Sequence, residues 1–480
     1  MGRRVSDRPA LVAIDLGAES CRVSLWRGRG SEAAIRMVRR FAHGPVERGG
    51  GFFWDLDRIC AELEAGLKEC AALAPEGVAS IGVTGWAVDY VRLDAQGKTV
   101  GLPHCYRDPR NGPAMEAVHR MIPAEQLYAR AGVQIQPINT VYQLYADKLA
   151  GVPSEARWAN LPEYILHWLG APLVAEYTNA THTGLVDPEK RRWAVEIFEA
   201  LGLDRSAAPE LVQPGTMLGP VREDLRRMSA FAETQLIAPA CHDTASAIAG
   251  IPGQDAAWAY ISSGTWSLVG VVNTEAHRSA EACAAGFTNL GAAGGKVLFH
   301  RGLVGMWLLR QCLNTWENAR GWELSDLIAQ AGALPTPDAL LDLDDGAFVT
   351  PGDMPARMNA QRVRQGLSPL PGGCDEAPRY ANLIFHSLAH RYAAVLREIE
   401  ALTGKRPECI CVVGGGNRNE YLNSLTREAT GLPVKRCAAE SSTLGNFAVQ
   451  WARLEQDNDG VPETAIAERA GELIEILMRA

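Results

Sequence analysis

The chain has 480 residues, of which 47% are hydrophobic and 21% are charged, and its 47 basic and 56 acidic residues give a formal net charge of -9. These values are typical of a folded globular protein and exclude a disordered or collagen-like chain. Because no block of lysines and arginines occurs and no apolar run reaches ~18 residues, we expect no nucleic-acid or membrane partner and a cytoplasmic location.

The length predicts two domains, since a single hydrophobic core rarely serves more than about 250 to 300 residues. Eleven cysteines are scattered from Cys21 to Cys437 without a Cys-x-x-Cys pair. We therefore expect buried thiols rather than a zinc site or a disulfide framework.

The first half opens on a predicted β-hairpin. Residues 11–14 and 21–26 have strand patterns, and the turn between them contains Asp15 and Gly17. A helix is predicted to begin after Asp55 as its N-cap, and two more strands are predicted over 79–83 and 88–93. An aspartate directly after a strand can hold Mg²⁺ largely through water, although the same pattern also forms ordinary hairpin turns.

Two segments of the first half, 86–90 and 106–110, mix aromatic and charged side chains. Sugars bind through such combinations of ring faces and polar groups. Ion pairing among Arg107, Asp108 and Arg110 is an equally good interpretation of the second segment.

A histidine and an acid stand side by side in the small-residue segment 240–247. Asp243 could accept a proton from a substrate hydroxyl, which is the role of an aspartate in phosphoryl transfer to alcohols. It could also be the N-cap of a short helix over 244–248. The residues by themselves leave both interpretations open.

The second half repeats the plan of the first. A strand over 257–261, a turn at Ser262–Thr265 and a second strand over 266–272 predict another hairpin, whose hydroxyl and glycine residues suit phosphate oxygens. Helix-breaking residues at 249–253 predict the boundary, so that the two domains span 1–248 and 249–480.

Glycine and proline are dense between residues 350 and 378, which predicts a long irregular surface segment. A helix over 382–402, a strand over 409–413, three glycines at 414–416 and a helix over 419–430 follow. The glycines match neither a dinucleotide fingerprint nor a P-loop, so a nucleotide would lie on the backbone of small residues.

Taken together and in this order, these segments resemble the FGGY carbohydrate kinases of the actin-like, ribonuclease-H-like superfamily, and within that family the rhamnulokinase branch. The resemblance runs over nearly the whole chain. The segments that carry it are 14–18, 86–91, 106–108, 176–181, 242–247, 262–267, 351–355, 413–416 and 442–446.

The resemblance implies an α/β fold of two actin-like (ribonuclease H-like) domains with an active-site cleft between them. It implies an ATP-dependent kinase that transfers the γ-phosphate to the C1 hydroxyl of a ketose, L-rhamnulose in the first place, with Asp243 as general base and with Asp15 at a magnesium ion. The implied sugar-binding residues are Trp86, Ala87, Asp89, Arg107, His242, Asp243 and Thr244. The implied ATP-binding residues are Ala18, Glu19, Ser20, Arg22, Gly264, Thr265, Arg310, Gly415, Gly416 and Asn419.

Some positions depart from the pattern of rhamnulokinases. Ala87 stands where a sugar-contacting glycine is usual, Gly302 where a sugar-binding asparagine is usual, and Arg310 where a glutamine is usual; Glu19 and Cys21 replace small residues of the first phosphate turn. An added methyl group or a lost amide near the sugar would alter which ketose fits.

Two rival functions therefore stay open. One is another FGGY kinase, acting on L-fuculose, xylulose or ribulose. The other is a catalytically idle actin-like sensor of a nucleotide or a sugar, which the retention of Asp15, Asp243 and Thr265 disfavours. The sequence leaves both a monomer and a homodimer open.

Overall fold

The structure is a computed structural model that describes residues 10–28, 33–253, 257–316, 322–350, 352–456 and 460–479. The chain folds into two compact units. Unit 1 comprises Met1–Gly253, Val272–Phe299 and Ser441–Ala480, and unit 2 comprises Gln254–Val271 and His300–Glu440. The first stretch of unit 1 ends at Gly253, whereas two stretches of the predicted second domain, Val272–Phe299 and Ser441–Ala480, belong to unit 1.

The strands, in chain order, are β1 (Ala10–Leu16), β2 (Ser20–Arg27), β3 (Ala34–Ala42), β4 (Val46–Arg48), β5 (Gly51–Phe53), β6 (Ser80–Gly85), β7 (Tyr90–Leu93), β8 (Arg157–Asn160), β9 (Val174–Glu176), β10 (Val186–Asp187), β11 (Arg192–Trp193), β12 (Glu210–Val212), β13 (Thr216–Pro220), β14 (Gln235–Ala238), β15 (Trp258–Ser263), β16 (Trp266–Asn273), β17 (Phe287–Gly291), β18 (Val297–Val304), β19 (Cys409–Val413) and β20 (Val434–Arg436).

The α-helices are α1 (Leu56–Leu73), α2 (Asn111–Met121), α3 (Ala124–Ala131), α4 (Thr140–Leu149), α5 (Leu161–Trp168), α6 (Tyr177–Ala180), α7 (Val195–Leu201), α8 (Glu223–Arg226), α9 (Asp243–Ala249), α10 (Ala280–Ala284), α11 (Trp307–Thr315), α12 (Leu324–Gly332), α13 (Met354–Arg364), α14 (Ala377–Thr403), α15 (Glu420–Thr430), α16 (Ser441–Leu454) and α17 (Glu463–Arg479).

The main sheet of unit 1 has the strand order β13-β14-β6-β1-β2-β3. The predicted hairpin is β1 and β2, which pair antiparallel, while β1 pairs in parallel with β6. Every residue of β1 is buried, as expected for a central strand with both faces covered. Helix α1 begins as predicted, since the Asp55 side chain accepts a hydrogen bond from the Arg58 backbone N–H at 3.1 Å.

Helix α16 brings the C-terminal stretch onto this sheet. The Gln450 side chain donates to the Val12 carbonyl of β1 at 3.0 Å and accepts from the Ser80 hydroxyl of β6 at 2.6 Å. These fully buried polar contacts give the helix one register on the sheet. The register places Ser442, at the start of α16, against the end of β1.

The sheet of unit 2 repeats this plan, as predicted. This second six-stranded sheet has the order β17-β18-β16-β15-β19-β20, and the repeated plan is formed without β17: β15 and β16 pair antiparallel as a hairpin, and β19 is parallel to β15. Strand β19 spans the predicted residues 409–413 and is fully buried. The turn of each hairpin therefore lies at the same edge of its sheet as the end of a parallel strand.

The prediction of an irregular segment from 350 to 378 is wrong over Met354–Arg364, which form α13. Asp353 caps this helix by accepting from the Ala356 N–H at 3.0 Å, and Pro355 lies in the first turn, where its missing N–H costs nothing. The proline therefore marks a helix start. Pro351 of the segment lies outside the described residues.

Most of the cysteines are buried thiols, as predicted, while Cys60, Cys283, Cys374 and Cys437 are partly exposed. In the described part of the chain, no helix has the length and apolar character needed to cross a membrane.

Candidate active site

The strand ends that flank the β1–β2 turn present an acid beside a basic group. Asp15, predicted to lie in the turn, is instead a residue of β1 and pairs with Arg22 of β2. Asp15 is 2% exposed, and its Oδ2 accepts hydrogen bonds from Arg22 Nη1 at 2.9 Å and from Ser442 Oγ at 2.6 Å. Gly17 makes the turn possible, because a Cβ there would lie 2.8 Å from the Ser20 carbonyl oxygen. Asp15 and Arg22 face each other across the hairpin.

The remaining residues of this predicted phosphate turn are accessible. Ala18 and Ser20 are half-buried and Glu19 is exposed. His43, which no sequence motif indicated, supports the turn: its backbone N–H donates to the Glu19 carbonyl at 3.1 Å, and its Nε2 lies 2.6 Å from the Gly17 carbonyl oxygen.

Asp243 is the first residue of α9 and has a partly accessible carboxylate, with 38% of the side chain exposed. Burial and, to a smaller extent, the negative charge of Asp15 together raise the pKa of Asp243 to about 7. The Thr244 hydroxyl donates to Asp243 Oδ1 at 3.2 Å, and His242 Nε2 lies 3.4 Å from the same oxygen. A carboxylate with a pKa near 7 is suited to exchange a proton with a hydroxyl group at neutral pH.

The structure does not support the alternative interpretation of Asp243 as the N-cap of the helix. The N-cap residue of α9 is His242, whose side chain makes no capping hydrogen bond, and Asp243 already has its place in the first turn. The acid is therefore not needed to begin the helix in the way that the sequence pattern allowed.

His242 is 4% exposed and packs against a second histidine that the sequence did not indicate. The His182 ring meets the His242 ring edge to face, with the centroids 4.8 Å apart at an interplanar angle of 75°. Burial lowers the pKa of His182 to about 4, so this ring is neutral at physiological pH.

Asp89 lies inside the fold rather than in contact with solvent. It is fully buried, and its Oδ2 accepts from the indole N–H groups of Trp54 at 2.6 Å and Trp86 at 3.0 Å. Burial raises the pKa of Asp89 to about 6. Of the predicted sugar ligands, Asp89 thus acts on the orientation of Trp86.

The backbone between Trp86 and Asp89 is strained. Val88 has a φ of 73°, a left-handed conformation that a β-branched residue rarely adopts, and the Thr140 hydroxyl holds its carbonyl at 2.7 Å. Strained backbone of this kind is concentrated at binding sites, where the surrounding structure maintains it. Ala87, next to the strained residue, is 8% exposed.

The segment 106–110 divides between the two interpretations that its sequence left open. Arg107 is exposed and its Nε donates to the Tyr106 hydroxyl at 3.2 Å. Asp108 is buried and accepts from the Phe52 N–H at 2.9 Å, while Arg110 pairs with Asp147 at 2.5 Å. Asp108 and Arg110 are therefore engaged in structural contacts.

Unit 2 holds the second predicted phosphate turn. Gly264 and Thr265 connect β15 to β16, and the Thr265 carbonyl accepts from the Gly305 N–H at 3.2 Å and the Trp307 N–H at 3.1 Å. Arg310 Nη2, from α11, donates to Thr265 Oγ1 at 3.3 Å. A hydroxyl group and a guanidinium group thus lie together at this turn.

The glycine turn after β19 comes close to the turn after β15. A Cβ on Gly416 would lie 2.1 Å from Ser263 Oγ, whereas a Cβ on Gly415 would have no neighbour within 4 Å. Asn419 caps α15 through its Oδ1, which accepts from the Leu422 N–H at 3.0 Å, and its buried Nδ2 has no hydrogen-bond partner among the described residues. Exposed glycine backbone and a buried amide donor fit a nucleotide.

The comparisons with known proteins decide the family. The model of the N-terminal domain of the FGGY family of carbohydrate kinases matches residues 10–250, and the model of its C-terminal domain matches residues 259–453. The chain belongs to the FGGY family of carbohydrate kinases. FGGY kinases are ATP-dependent sugar kinases, which implies ATP as a substrate of this chain.

Curated relatives extend over most of the chain. It is 33% identical over 443 residues to a rhamnulokinase of Bacteroides thetaiotaomicron, with 91% of this chain and 89% of the relative covered. It is 35% identical over 453 residues to a rhamnulokinase of Pectobacterium carotovorum, with 92% and 88% covered. Both of these relatives are named rhamnulokinases.

Solved structures agree on the fold. The xylulose kinase of Lactobacillus acidophilus superposes with a TM-score of 0.74 at 15% identity, covering 98% of this chain and 97% of that one. The xylulose kinase of Rhodospirillum rubrum gives a TM-score of 0.73 at 16% identity, with 98% of both chains covered. This FGGY chain therefore has the two-domain, actin-like fold that its sequence resemblance predicted.

Proposed function

We propose that this FGGY kinase transfers the γ-phosphate of ATP to the C1 hydroxyl of a ketose, with L-rhamnulose as the first candidate. The observation that carries the proposal is Asp243, an accessible carboxylate whose pKa is raised to about 7 beside Asp15. L-rhamnulose is chosen as the first candidate sugar because the rhamnulokinases among the relatives match about nine tenths of the chain.

In this proposal, Asp243 takes the proton of the sugar hydroxyl. The hydroxyl oxygen forms a bond to the γ-phosphorus, the bond from that phosphorus to the bridging oxygen of ADP breaks, and ADP leaves with the electron pair. His242 and Thr244 flank the base and position the sugar. Trp86 is buried against His43 and Trp54, and its indole N–H is held by Asp89, so it would shape the sugar site from behind rather than by an open ring face.

The nucleotide would be held by the residues predicted from the family resemblance. Gly415 and Gly416 offer backbone to the adenosine and Asn419 a buried amide donor, while Thr265 and Arg310 meet the phosphates. A guanidinium group compensates phosphate charge more strongly than the glutamine that rhamnulokinases usually carry at this position.

Magnesium would supply charge compensation for the phosphates. Asp15 suits it chemically, because carboxylate oxygens are preferred ligands of Mg²⁺ and the ion commonly keeps several waters. Among the described residues, the one group of three close ligand atoms is Glu163, Glu176 and Cys241, which does not include Asp15. Asp15 would therefore bind the ion together with water.

A panel of ketoses tests the choice of sugar. ADP release is measured with MgATP and L-rhamnulose, L-fuculose, xylulose or ribulose, and we expect the highest kcat/KM with L-rhamnulose. Ala87→Gly and Gly302→Asn, which restore the residues usual in rhamnulokinases, serve as matched variants. A wild-type preference for another ketose that these two changes move towards L-rhamnulose would contradict the assignment of the sugar and leave the kinase standing.

A further inference from the structure

Two buried glutamates lie next to the catalytic loop and have no part in the proposed chemistry. Glu163 and Glu176 are both fully buried, and both approach the Cys241 thiol. Burial raises the pKa of Glu163 to about 7 and the pKa of Glu176 to about 8. An acid buried at this cost calls for a local explanation.

Glu176 and Thr178 bind the backbone of the residues that precede Asp243. Glu176 Oε2 accepts from the Cys241 N–H at 2.8 Å, and Thr178 Oγ1 accepts from the His242 N–H at 3.3 Å. The Thr178 hydroxyl in turn donates to Glu176 Oε2 at 2.5 Å, and the Thr178 N–H donates to Glu176 Oε1 at 2.8 Å. Two successive N–H groups of the loop are thus fixed by one turn.

The carbonyl groups of the same loop are fixed from the other side. The Thr84 hydroxyl, at the end of β6, donates to the Ala240 carbonyl at 3.0 Å and to the Cys241 carbonyl at 3.2 Å, and the Gly85 N–H donates to the Cys241 carbonyl at 2.8 Å. The loop is therefore held on both its donor and its acceptor groups, directly before the catalytic aspartate.

We propose that Glu176, acting with Thr178, is a positioning residue that fixes Cys241 and His242 so that the Asp243 carboxylate stands where the sugar hydroxyl is deprotonated. The inference rests on the proposed function. In-line transfer depends steeply on geometry, since a displacement of about 1 Å at the reacting group can cost on the order of 100-fold in rate.

The two glutamates differ in whether an amide can replace them. Both oxygens of Glu176 accept from backbone N–H groups, and these hydrogen bonds favour the carboxylate form against the effect of burial. One arm of a glutamine at this position must therefore turn its NH₂ against a donor. Glu163 accepts from the Glu176 N–H at 3.1 Å and from the Asn179 amide at 2.8 Å. The Asn179 amide can rotate to offer its oxygen, which accepts from no group in the described part of the chain.

Glu176→Gln and Glu163→Gln are therefore matched variants of two equally buried acids. We expect Glu176→Gln to lower kcat by about 10- to 100-fold with the KM for ATP within about twofold, and Glu163→Gln to keep kcat within about threefold of the wild type. Thermal unfolding of each variant, followed by circular dichroism, gives the folded fraction by which kcat is normalised.

A second pair of variants, at Thr178, tests the positioning role if Glu176→Gln does not fold. Thr178→Ser keeps the hydroxyl that links His242 to Glu176, whereas Thr178→Val removes it in nearly the same volume. We expect the loss of kcat in Thr178→Val alone. The acid limb of its pH profile should also move to lower pH, because a loosened Asp243 is less buried.

Equal kcat values and equal pH profiles for Thr178→Val and Thr178→Ser would overturn the inference, as would equal losses in Glu176→Gln and Glu163→Gln. Failure of the proposed function is a different result, since the wild type would then form no ADP in response to any ketose.

Discussion

Asp243 has a partly exposed side chain and a pKa raised to about 7, and the two causes that raise this pKa are both local. Burial disfavours the carboxylate form, and the neighbouring Asp15 charge disfavours it again. Arg22 limits this effect, because its positive charge lowers the pKa of Asp243. A general base poised in this way is half ionised near neutral pH.

The pH dependence of the reaction follows from this pKa. Asp243 must be ionised to accept a proton, so kcat/KM for the ketose should approach a plateau about one pH unit above pH 7 and should fall about tenfold per pH unit well below pH 7. The measurement is sugar-dependent ADP formation between about pH 5.5 and pH 8.5.

The shifted pKa values of neighbouring groups decide which control assigns the acid limb to Asp243. His182 has a pKa of about 4 and ionises below the limb, Glu176 has a pKa of about 8 and ionises above its midpoint, and Glu163 has a pKa of about 7 and overlaps it. Glu163→Gln should therefore retain the limb unchanged. Rates that do not vary with pH over this range, or a limb that disappears in Glu163→Gln, would contradict the role of Asp243.

At the residue scale, the sequence predicts the functional side chains that stand at strand and helix ends, but it does not predict the side chains that contact them in the folded protein. Asp15 and Asp243 were predicted because each stands at a strand or helix end in a recognisable segment. Trp54 was missed, since it reaches Asp89 from 35 positions away and belongs to no motif. Such contacts depend on the folded chain, and no local spacing encodes them.

At the element scale, the glycine turn after β19 owes its shape to the turn after β15. Gly416 approaches Ser263 so closely that a side chain has no room, while Gly415 faces open space. The two adjacent glycines, both predicted to contact ATP, are therefore glycines for different structural reasons. One is needed for packing and the other is free to serve a ligand.

Alanine substitutions separate these requirements. Gly416→Ala should destabilise the protein by about 1 to 3 kcal/mol, because its Cβ overlaps Ser263, and should lower the temperature of thermal unfolding. Gly415→Ala should leave the unfolding temperature unchanged and raise the KM for ATP. A Gly415→Ala variant with both the stability and the ATP KM of the wild type would argue against adenosine at this turn.

Helices and strands were predicted well where periodic apolar residues and caps agree. Helix α1 begins after Asp55 and helix α15 ends at Thr430, as predicted. Helix α13 was missed because its flanking prolines and glycines outweighed a weak apolar pattern. Its buried Arg362 is secured by a bidentate pair with Asp338, a contact over 24 positions that the sequence does not reveal.

At the scale of the whole molecule, the two units share a hairpin followed by a parallel strand, and the sequence predicted this repeat. It did not predict that residues 441–480 return to unit 1. The polar contacts of Gln450 with β1 and β6 set that return. A glutamine inside an apolar helix pattern indicates a buried polar contact but not its partner.

The division of residues between the units suits the division of substrates. The proposed base and the aromatic side chains for the sugar belong to unit 1, while Thr265, Arg310 and the glycine turn belong to unit 2. Ala87 and Gly302, the two departures that concern the sugar, belong to different units.

The most direct test is ADP formation from MgATP by the wild type and by Asp243→Asn, each with and without L-rhamnulose. We predict that the sugar stimulates the wild type and that Asp243→Asn loses about 100- to 10,000-fold in kcat while it still binds the sugar. Turnover by Asp243→Asn at the wild-type rate would contradict the assignment of the base. A wild type that forms no ADP in response to the sugar would contradict a rhamnulose kinase.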